Sequence, residues 1–136
     1  MTNDHLWVCA EFADAQDVAR LMSQRDVGSV LVVDEKGSLA GIVTDRDIVC
    51  RLVARGRSPE TPIRAIMSCP VHTVLEDAPL ADVRARMKEY RIRRVAVVDH
   101  LHKLVGVISL GDIARRCHGP VRKHAVAEAL HVVSTD

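Results

Sequence analysis

The sequence predicts an α/β fold made of two copies of one β-α-β-β-α unit, packed on each other about a pseudo-twofold axis. The first observation behind this prediction is a repeated phrase: GIVTDRDIV, from Gly41 to Val49, returns as GVISLGDIA, from Gly106 to Ala114. The second is the alignment of the two copies. Residues 14–50 align with residues 79–115 without a gap, and 11 of these 37 positions are identical. An internal repeat of this kind decides the architecture before any single motif does.

Each copy begins with a short apolar stretch, LWVCAEF in the first and VHTVLED in the second, which predicts a strand. Apolar residues then recur at helical spacing from Ala15 and from Leu80. Asp14 is a suitable N-cap for the first helix, and Pro79 fits the first turn of the second. A strand and then a helix therefore open each copy.

The second half of each copy predicts a hairpin followed by another helix. SVLVVD and RVAVVD are rich in β-branched residues and read as strands, and LAGIVT and LVGVIS pair back on them. The turn EKGS contains a glycine, whereas its counterpart HLHK does not. The second helices start near Ile48 and Ile113, with further apolar positions at helical spacing after them.

Proline and glycine mark the boundaries of the repeats. ARGRSPETPIRAIMSCP contains three prolines and one glycine and links the copies, and HGP ends the pattern after Cys117. We therefore expect a first repeat over residues 1–62, a second over 63–117 and a C-terminal helix in 118–136. That helix is predicted from about Val121 to Val133, with one apolar face.

Composition narrows the function classes. No apolar run approaches the length of a membrane-spanning helix, and the acidic N-terminus does not resemble a signal peptide, so we expect no membrane association and a cytoplasmic location. Net charge is +1, which indicates no polyanionic partner. Three aromatic residues are too few for the stacking platforms of nucleic-acid modules, so no nucleic-acid partner is expected.

Neither a metal site nor a catalytic site is predicted. The cysteines form no C-x-x-C pair and are expected to be reduced core residues. His100 and His102 lack the accompanying Cys/His motif of a zinc site. Cys69 or Ser109 near His72, or Cys117 near His118, could form a nucleophile–base pair, but no order or spacing supports a triad.

The doubled pattern of glycine, two apolar residues, a hydroxyl residue, two variable residues and aspartate, after the valine-rich strand, resembles the cystathionine-β-synthase (CBS) domain. A tandem pair of these domains is called a Bateman module. The resemblance runs from about Leu6 to Cys117, and IRRVAVVDHLHKLVGVISLGDIA in particular is similar to stand-alone bacterial two-CBS proteins of the hypoxic-response type.

The resemblance implies a non-enzymatic regulatory or sensor module that binds an adenosine-containing ligand in the clefts between the repeats. Ligands of the family include AMP, ADP, ATP, NAD and S-adenosylmethionine, and no obligatory cofactor is implied. Pairs of CBS domains commonly form homodimers, and a separate, unidentified protein partner would receive the signal. The alternative is a CBS pair that has lost its ligand and acts as a protein-interaction module.

The repeated hydroxyl and aspartate have two interpretations. Thr44-x-x-Asp47 has the spacing of a capping box at a helix start, and so does Ser109-x-x-Asp112. By resemblance, Asp47 and Asp112 would each bind a ribose, with Thr44 and Ser109 contacting the ligand nearby. The two roles are compatible, because the free N–H groups of the helix start also attract a phosphate.

The resemblance also assigns the phosphate and adenine contacts. Arg93 and Arg94 precede the second valine strand and would bind the phosphate of a ligand in the cleft that contains Asp47. The first copy has Gly28 and Ser29 at the equivalent positions, so the two clefts are expected to differ. Arg46 is the one obvious cation for the cleft that contains Asp112. The expected adenine contacts are Val8, Cys9, Ile42 and Val43 in the first copy, and Val71, His72, Thr73, Val74, Val107 and Ile108 in the second.

Overall fold

A computed structural model describes residues 6–69, 71–109 and 129–133 and confirms a mixed α/β fold with two sheets. The chain divides into two compact units. The first combines Met1–Val71 with Ala129–Asp136, and the second is His72–Glu128. The second unit is thus inserted between two segments of the first.

The first unit contains the complete predicted set of elements. In chain order these are β1 (Leu6–Ala10), α1 (Ala15–Arg25), β2 (Ser29–Val33), β3 (Leu39–Thr44), α2 (Asp45–Asp47), a π-helix (Ile48–Val53) and a 3₁₀ turn (Ile63–Ala65). The helix predicted after β3 therefore starts as α-helix and continues with the wider π pattern, in which the Ala54 N–H donates to the Val49 carbonyl five residues back.

The second unit repeats the order of the first. Its described elements are β4 (Thr73–Leu75), α3 (Leu80–Tyr90), β5 (Arg94–Val98) and β6 (Leu104–Ser109). Strand registers match the 65-residue shift, since Val8 pairs with Leu31 and Thr73 pairs with Ala96. The second helix of this copy, predicted to start near Ile113, lies outside the described residues.

The sheets differ in one strand. The second unit has the order β4-β5-β6, and the first has β3-β2-β1-β7, in which β7 is Ala129–Val133. The predicted C-terminal helix is therefore wrong over these five residues, which pair in parallel with β1. The sequence ALHVV ends in two β-branched valines, and hydrogen bonding along the edge of β1 favours the extended backbone over the helix. Residues 118–128 lie outside the described part of the chain.

Each unit has its own apolar core. Val18 and Met22 of α1 are buried against the first sheet, and Val83 and Met87 of α3 are buried at the equivalent positions of the second. Burial of an aliphatic side chain of this size contributes about 1.5–3 kcal/mol. The period of the helices predicted from sequence thus decides which face packs on the sheet.

The segment after the π-helix belongs to the first unit. Ile63 and Ile66 are fully buried in its core. Ser68 pairs with Ile42 of β3 through two backbone hydrogen bonds, of 2.7 and 3.0 Å between nitrogen and oxygen. Residues 63–71 therefore belong to the first unit by their contacts, whereas the sequence prediction places the start of the second repeat at residue 63.

The hairpin turns are organised by the aspartate that ends each valine strand. Asp34 accepts hydrogen bonds from the N–H groups of Lys36 and Ser38, and Asp99 accepts them from those of Leu101 and Lys103. The Lys103 N–H is the main reason why the pKa of Asp99 lies below its usual range. The aspartate at the end of each valine strand therefore stabilises the hairpin turn that follows it.

Candidate functional site

The repeated phrase forms a complete capping box in the first unit. The Asp47 N–H donates to Thr44 Oγ1 at 3.1 Å, and the Thr44 N–H donates to Asp47 Oδ2 at 2.9 Å. Two N–H groups that have no partner in a bare helix start are thereby satisfied. Capping, one of the two interpretations of the sequence, is thus the observed role of this pair.

Asp47 is also held from a distant part of the chain. Only 7% of this residue is exposed. Among the described residues, no other charged or polar residue is buried. The Ser68 hydroxyl donates to Asp47 Oδ1 at 3.0 Å, and Arg51 Nε lies 3.8 Å from the same oxygen. A second contact of Arg51, from Nη1 to the Met67 carbonyl at 2.9 Å, ties the π-helix to the same segment.

Ser68 and Arg51 are site residues that the sequence interpretation missed. Arg51 follows Asp47 at helical i,i+4 spacing, so an ion pair between them could have been predicted. Ser68 lies 21 residues away from Asp47, and no local pattern indicates its position. Its contact depends on the return of the segment 66–69 along β3.

The carboxylate of Asp47 retains acceptor capacity. A carboxylate offers about four lone-pair positions, and the N–H of Thr44 and the hydroxyl of Ser68 use one on each oxygen. By this count each oxygen has one further position that no described hydrogen bond uses, since Arg51 Nε, at 3.8 Å from Oδ1, is beyond hydrogen-bonding distance. This arrangement is therefore chemically suited to a diol, in addition to its capping role.

The glycine of the repeated phrase has a packing role. A Cβ on Gly41 would lie 2.8 Å from the backbone oxygen of Ser68 and 2.7 Å from Met67 Sδ. Real side chains do not approach backbone oxygen so closely, so only glycine lets the returning segment pair with β3. Gly41 therefore holds Ser68 within reach of Asp47.

In the second unit the structure describes part of the predicted site. β6 ends at Ser109, whose backbone pairs with Arg94, the first residue of β5. Arg93 and Arg94 are exposed, as is Arg46 of the first unit. Asp112 lies outside the described residues, so its predicted role remains a prediction.

The predicted adenine contacts fall into two groups. Five of them contribute their side chains to the cores and can offer a ligand only backbone atoms; they are Val8, Cys9, Val43, Val74 and Ile108. The others are partly or fully accessible, namely Ile42, Val71, His72, Thr73 and Val107. Strand alternation explains the pairs Ile42 and Val43, Thr73 and Val74, and Val107 and Ile108, whereas the adjacent Val8 and Cys9 of β1 are both buried.

The thiol of Cys9 is expected to be unreactive. Burial raises its pKa to about 12, so it stays protonated at neutral pH. Cys50 and Cys69 are exposed free thiols, and Cys117 lies outside the described residues. The three described cysteines are free, but only Cys9 is a core residue, so the expectation that the cysteines lie in the core is wrong for Cys50 and Cys69.

Two further properties concern the described ranges alone. Within residues 6–69, 71–109 and 129–133, no cluster of three or more His, Cys, Asp or Glu side chains has a geometry that could hold a metal ion. In the same ranges no helix has the length and apolar character needed to cross a bilayer.

Comparison with known proteins gives a consistent result. The family profile of the CBS domain matches residues 1–54 and 63–119. The chain is similar to the CBS domain-containing protein YhcV of Bacillus subtilis, with 41% identity over 73% of this chain and 69% of that protein. It is also 31% identical to hypoxic response protein 1 of Mycobacterium tuberculosis, over 85% of this chain and 78% of the relative.

A solved structure extends the comparison to a ligand complex. A CBS domain protein from Pyrobaculum aerophilum, solved in complex with AMP, superposes with a TM-score of 0.64. The two sequences are 27% identical, and the match covers 86% of this chain and 88% of that one.

Proposed function

This chain belongs to the CBS-domain family, with two CBS domains in tandem, and on that premise we propose that it is a regulatory module that binds an adenine nucleotide. The observation that carries the proposal is the repeated hydroxyl–aspartate motif, in which Asp47 keeps two acceptor positions at a helix start. The AMP complex of the Pyrobaculum aerophilum relative supports an adenine nucleotide as the ligand class.

Asp47 is the proposed ribose ligand of the first repeat. Its carboxylate accepts hydrogen bonds from the Thr44 N–H and the Ser68 hydroxyl, so the side chain loses little conformational entropy when a ligand binds. Hydrogen bonds to a charged acceptor contribute more than those between neutral groups. In the second repeat, Ser109 and Asp112 are proposed to serve in the same way.

Arg93 and Arg94 are the proposed phosphate contacts. Guanidinium groups bind phosphate oxygens with paired, charge-assisted hydrogen bonds. Neighbouring residues at a strand start point to opposite faces, so we expect one of the two arginines to dominate. The first repeat has Gly28 and Ser29 at these positions, so we propose that the two ligand sites differ. Arg46 is the proposed cation of the site that lacks Arg93 and Arg94.

AMP is the first ligand to test, and ADP, ATP, NAD and S-adenosylmethionine share its adenosine moiety. We propose no catalytic step, because the family that the chain matches is the CBS domain. The chemistry assigned to the site is reversible binding.

The deciding experiment is calorimetric titration of the protein with these five ligands. Asp47→Asn preserves an oxygen for the Thr44 N–H and should keep the fold, but it should weaken AMP binding by at least about tenfold, because a neutral amide offers one acceptor oxygen where the carboxylate offers two. Asp47→Ala should abolish binding and also lose the cap. The exposed neighbour Asp45 provides the matched control, and Asp45→Asn should bind normally.

Arg94→Ala separates the phosphate contact from the rest of the site. This change should weaken AMP and leave adenosine binding unchanged, because only AMP carries the phosphate. If no ligand binds to a folded protein, or if Asp47→Asn binds as the unchanged chain does, the proposal is wrong. The first of these outcomes would favour the protein-interaction alternative.

Assembly and location complete the proposal. We propose a homodimer in the cytoplasm that acts on a separate protein, on the basis of the family resemblance and of the exposed thiols of Cys50 and Cys69, which suit a reducing compartment. Light scattering coupled to size-exclusion chromatography, with and without AMP, tests the dimer. A single monomer mass at all concentrations would contradict it.

A further inference from the structure

The outer edge of β4 has backbone groups that point away from the sheet. In the parallel pair of β4 and β5, the Glu76 N–H donates to the Val98 carbonyl. Because successive residues of a strand present their N–H and C=O groups to opposite sides, Thr73 and Leu75 present theirs to the outer edge. Among the described residues, no strand pairs with this edge. The second sheet therefore offers hydrogen-bonding groups to a further strand.

A strand occupies the equivalent edge of the first unit. The residue equivalent to Thr73 is Val8, which pairs in parallel with Val132 of β7. β7 also lies beside α1, the helix that corresponds to α3. The first unit thus shows what this edge of the fold accepts, namely an extended segment that runs parallel to the strand and lies next to the helix.

The second unit has a groove along the outer edge of β4. Its volume is about 370 Å³, and its walls include Thr73 and Leu75 of β4, Asp82 and Arg86 of α3, and Asp99 at the hairpin turn. All of the residues that line it belong to the second unit. The groove therefore lies between a strand edge and a helix, as β7 does in the first unit.

Arg86 covers part of this edge. Its Nη1 donates to the Thr73 carbonyl at 2.6 Å, so the guanidinium occupies one of the outward-facing backbone acceptors. The equivalent residue of the first unit is Leu21, which is buried in the first core. A charged side chain on an edge discourages pairing with unrelated strands. An incoming strand therefore has to displace Arg86 before its own N–H can reach the Thr73 carbonyl.

The charges around the groove indicate what would displace Arg86. In the described parts of the chain Arg86 forms no ion pair, although its guanidinium has several N–H donors. The carboxylate of Asp99 already accepts two backbone N–H groups of its own turn. A carboxylate on an incoming strand would draw Arg86 away from Thr73 and form a charge-assisted pair with it. Asp82 lies one helical turn before Arg86 and would repel a second acid there.

We propose that this groove binds an extended segment of a partner protein that carries one carboxylate opposite Arg86. The segment adds a fourth strand parallel to β4, as β7 does to β1, and its carboxylate releases the Thr73 carbonyl from Arg86. Arg86 thereby admits acidic segments and disfavours neutral or basic ones. The inference goes beyond the proposed function and does not depend on nucleotide binding.

Two peptides, capped at both ends, test the groove: Thr-Val-Glu-Val-Thr and Thr-Val-Lys-Val-Thr. In amide NMR titrations of the full chain, the glutamate peptide should shift the Thr73 and Leu75 signals. It should also slow hydrogen exchange at both N–H groups, because each gains a hydrogen-bond partner. The lysine peptide should bind at least about tenfold more weakly, because it places a like charge beside Arg86.

Three variants define the role of Arg86. Arg86→Leu introduces the residue type of the equivalent position in the first unit, and the two peptides should then bind within about twofold of each other. Arg86→Glu should reverse the preference, so that the lysine peptide binds more tightly. Lys88→Leu removes a charge from the same helix at an exposed residue outside the groove, and this matched control should keep the preference of the unchanged chain.

Three outcomes would overturn the inference. The first is that neither peptide shifts the two amide signals, or that both bind equally to the unchanged chain. The second is that AMP displaces the glutamate peptide, which would show that the groove is part of the ligand site. The third is that no peptide binds but Arg86→Leu forms larger oligomers in light scattering, which would show that the edge pairs with a second copy of the chain.

Discussion

Asp47 has an observed role as a capping residue and a proposed role as a ribose ligand. Its carboxylate completes the capping box with Thr44 and also accepts the Ser68 hydroxyl, and it still has acceptor positions for a ligand. A capping residue with a short, buried side chain is a rigid group, and rigidity reduces the entropic cost of binding. The observed capping role and the proposed ligand-binding role are therefore compatible at this residue.

Gly41 provides the sharpest test at the residue scale. Gly41→Ala should destabilise the protein by about 1–3 kcal/mol, because the added methyl would overlap the backbone oxygen of Ser68. Gly28→Ala is the matched control, since its Cβ would meet no atom closer than 3.6 Å and should change stability little. Urea unfolding of both variants measures the difference, and equal stabilities would contradict this account of Gly41.

At the scale of the element, the hairpins show what the repeat preserves and what it changes. Gly37 of the first turn has a φ of 82°, and His102 of the second has a φ of 64° at the equivalent position. The left-handed region costs a non-glycine residue roughly 1–2 kcal/mol. The second turn keeps its geometry because Asp99 accepts two hydrogen bonds across it.

His102→Gly should therefore stabilise the second hairpin. The gain should be up to about 1 kcal/mol, because relief of the left-handed strain is partly offset by the greater freedom of glycine in the unfolded chain. Gly37→Ala makes the opposite change in the first hairpin and should destabilise it by a similar amount. Thermal unfolding measures both, and a His102→Gly variant that melts lower than the unchanged chain would refute the strain argument.

The elements also show which features can be predicted from the sequence. Helical spacing predicts α1 and a run of β-branched residues predicts β2, because both signals are local in the sequence. β7 was predicted as helix because Ala129, Leu130 and Val133 also fit helical spacing, and its pairing with β1 depends on residues far away in the chain. The contact of Ser68 with Asp47 escaped prediction for the same reason.

At the scale of the whole molecule, the first unit is built from two segments that are far apart in the sequence. The first unit takes its last strand from Ala129–Val133, after the chain has formed the second unit. The two sequence repeats are therefore not two separable segments, although β1, α1, β2 and β3 correspond in order to β4, α3, β5 and β6. A single cut between the repeats would remove an edge strand from the first sheet.

Removal of residues 129–136 tests this connectivity. The deletion leaves the edge of β1 unpaired, so we expect the Tm of the first unit to fall by at least about 5 °C. Trp7 pairs in register with His131, and its emission should shift to the red as water gains access. Val132→Pro, which removes one strand N–H, should reproduce part of the effect. A deletion variant with unchanged Trp7 emission would show that β7 contributes little.

The position of β7 also sets the order of events during synthesis on the ribosome. More than a hundred residues separate β1 from β7, and at about 5–20 residues per second their translation takes roughly 6 to 24 s. Throughout that interval the nascent first sheet has an open edge, which another nascent chain could pair with. We expect translation stalled before Ala129 to produce more aggregated chains than translation stalled after Val133, which sedimentation of the ribosome-bound products would reveal.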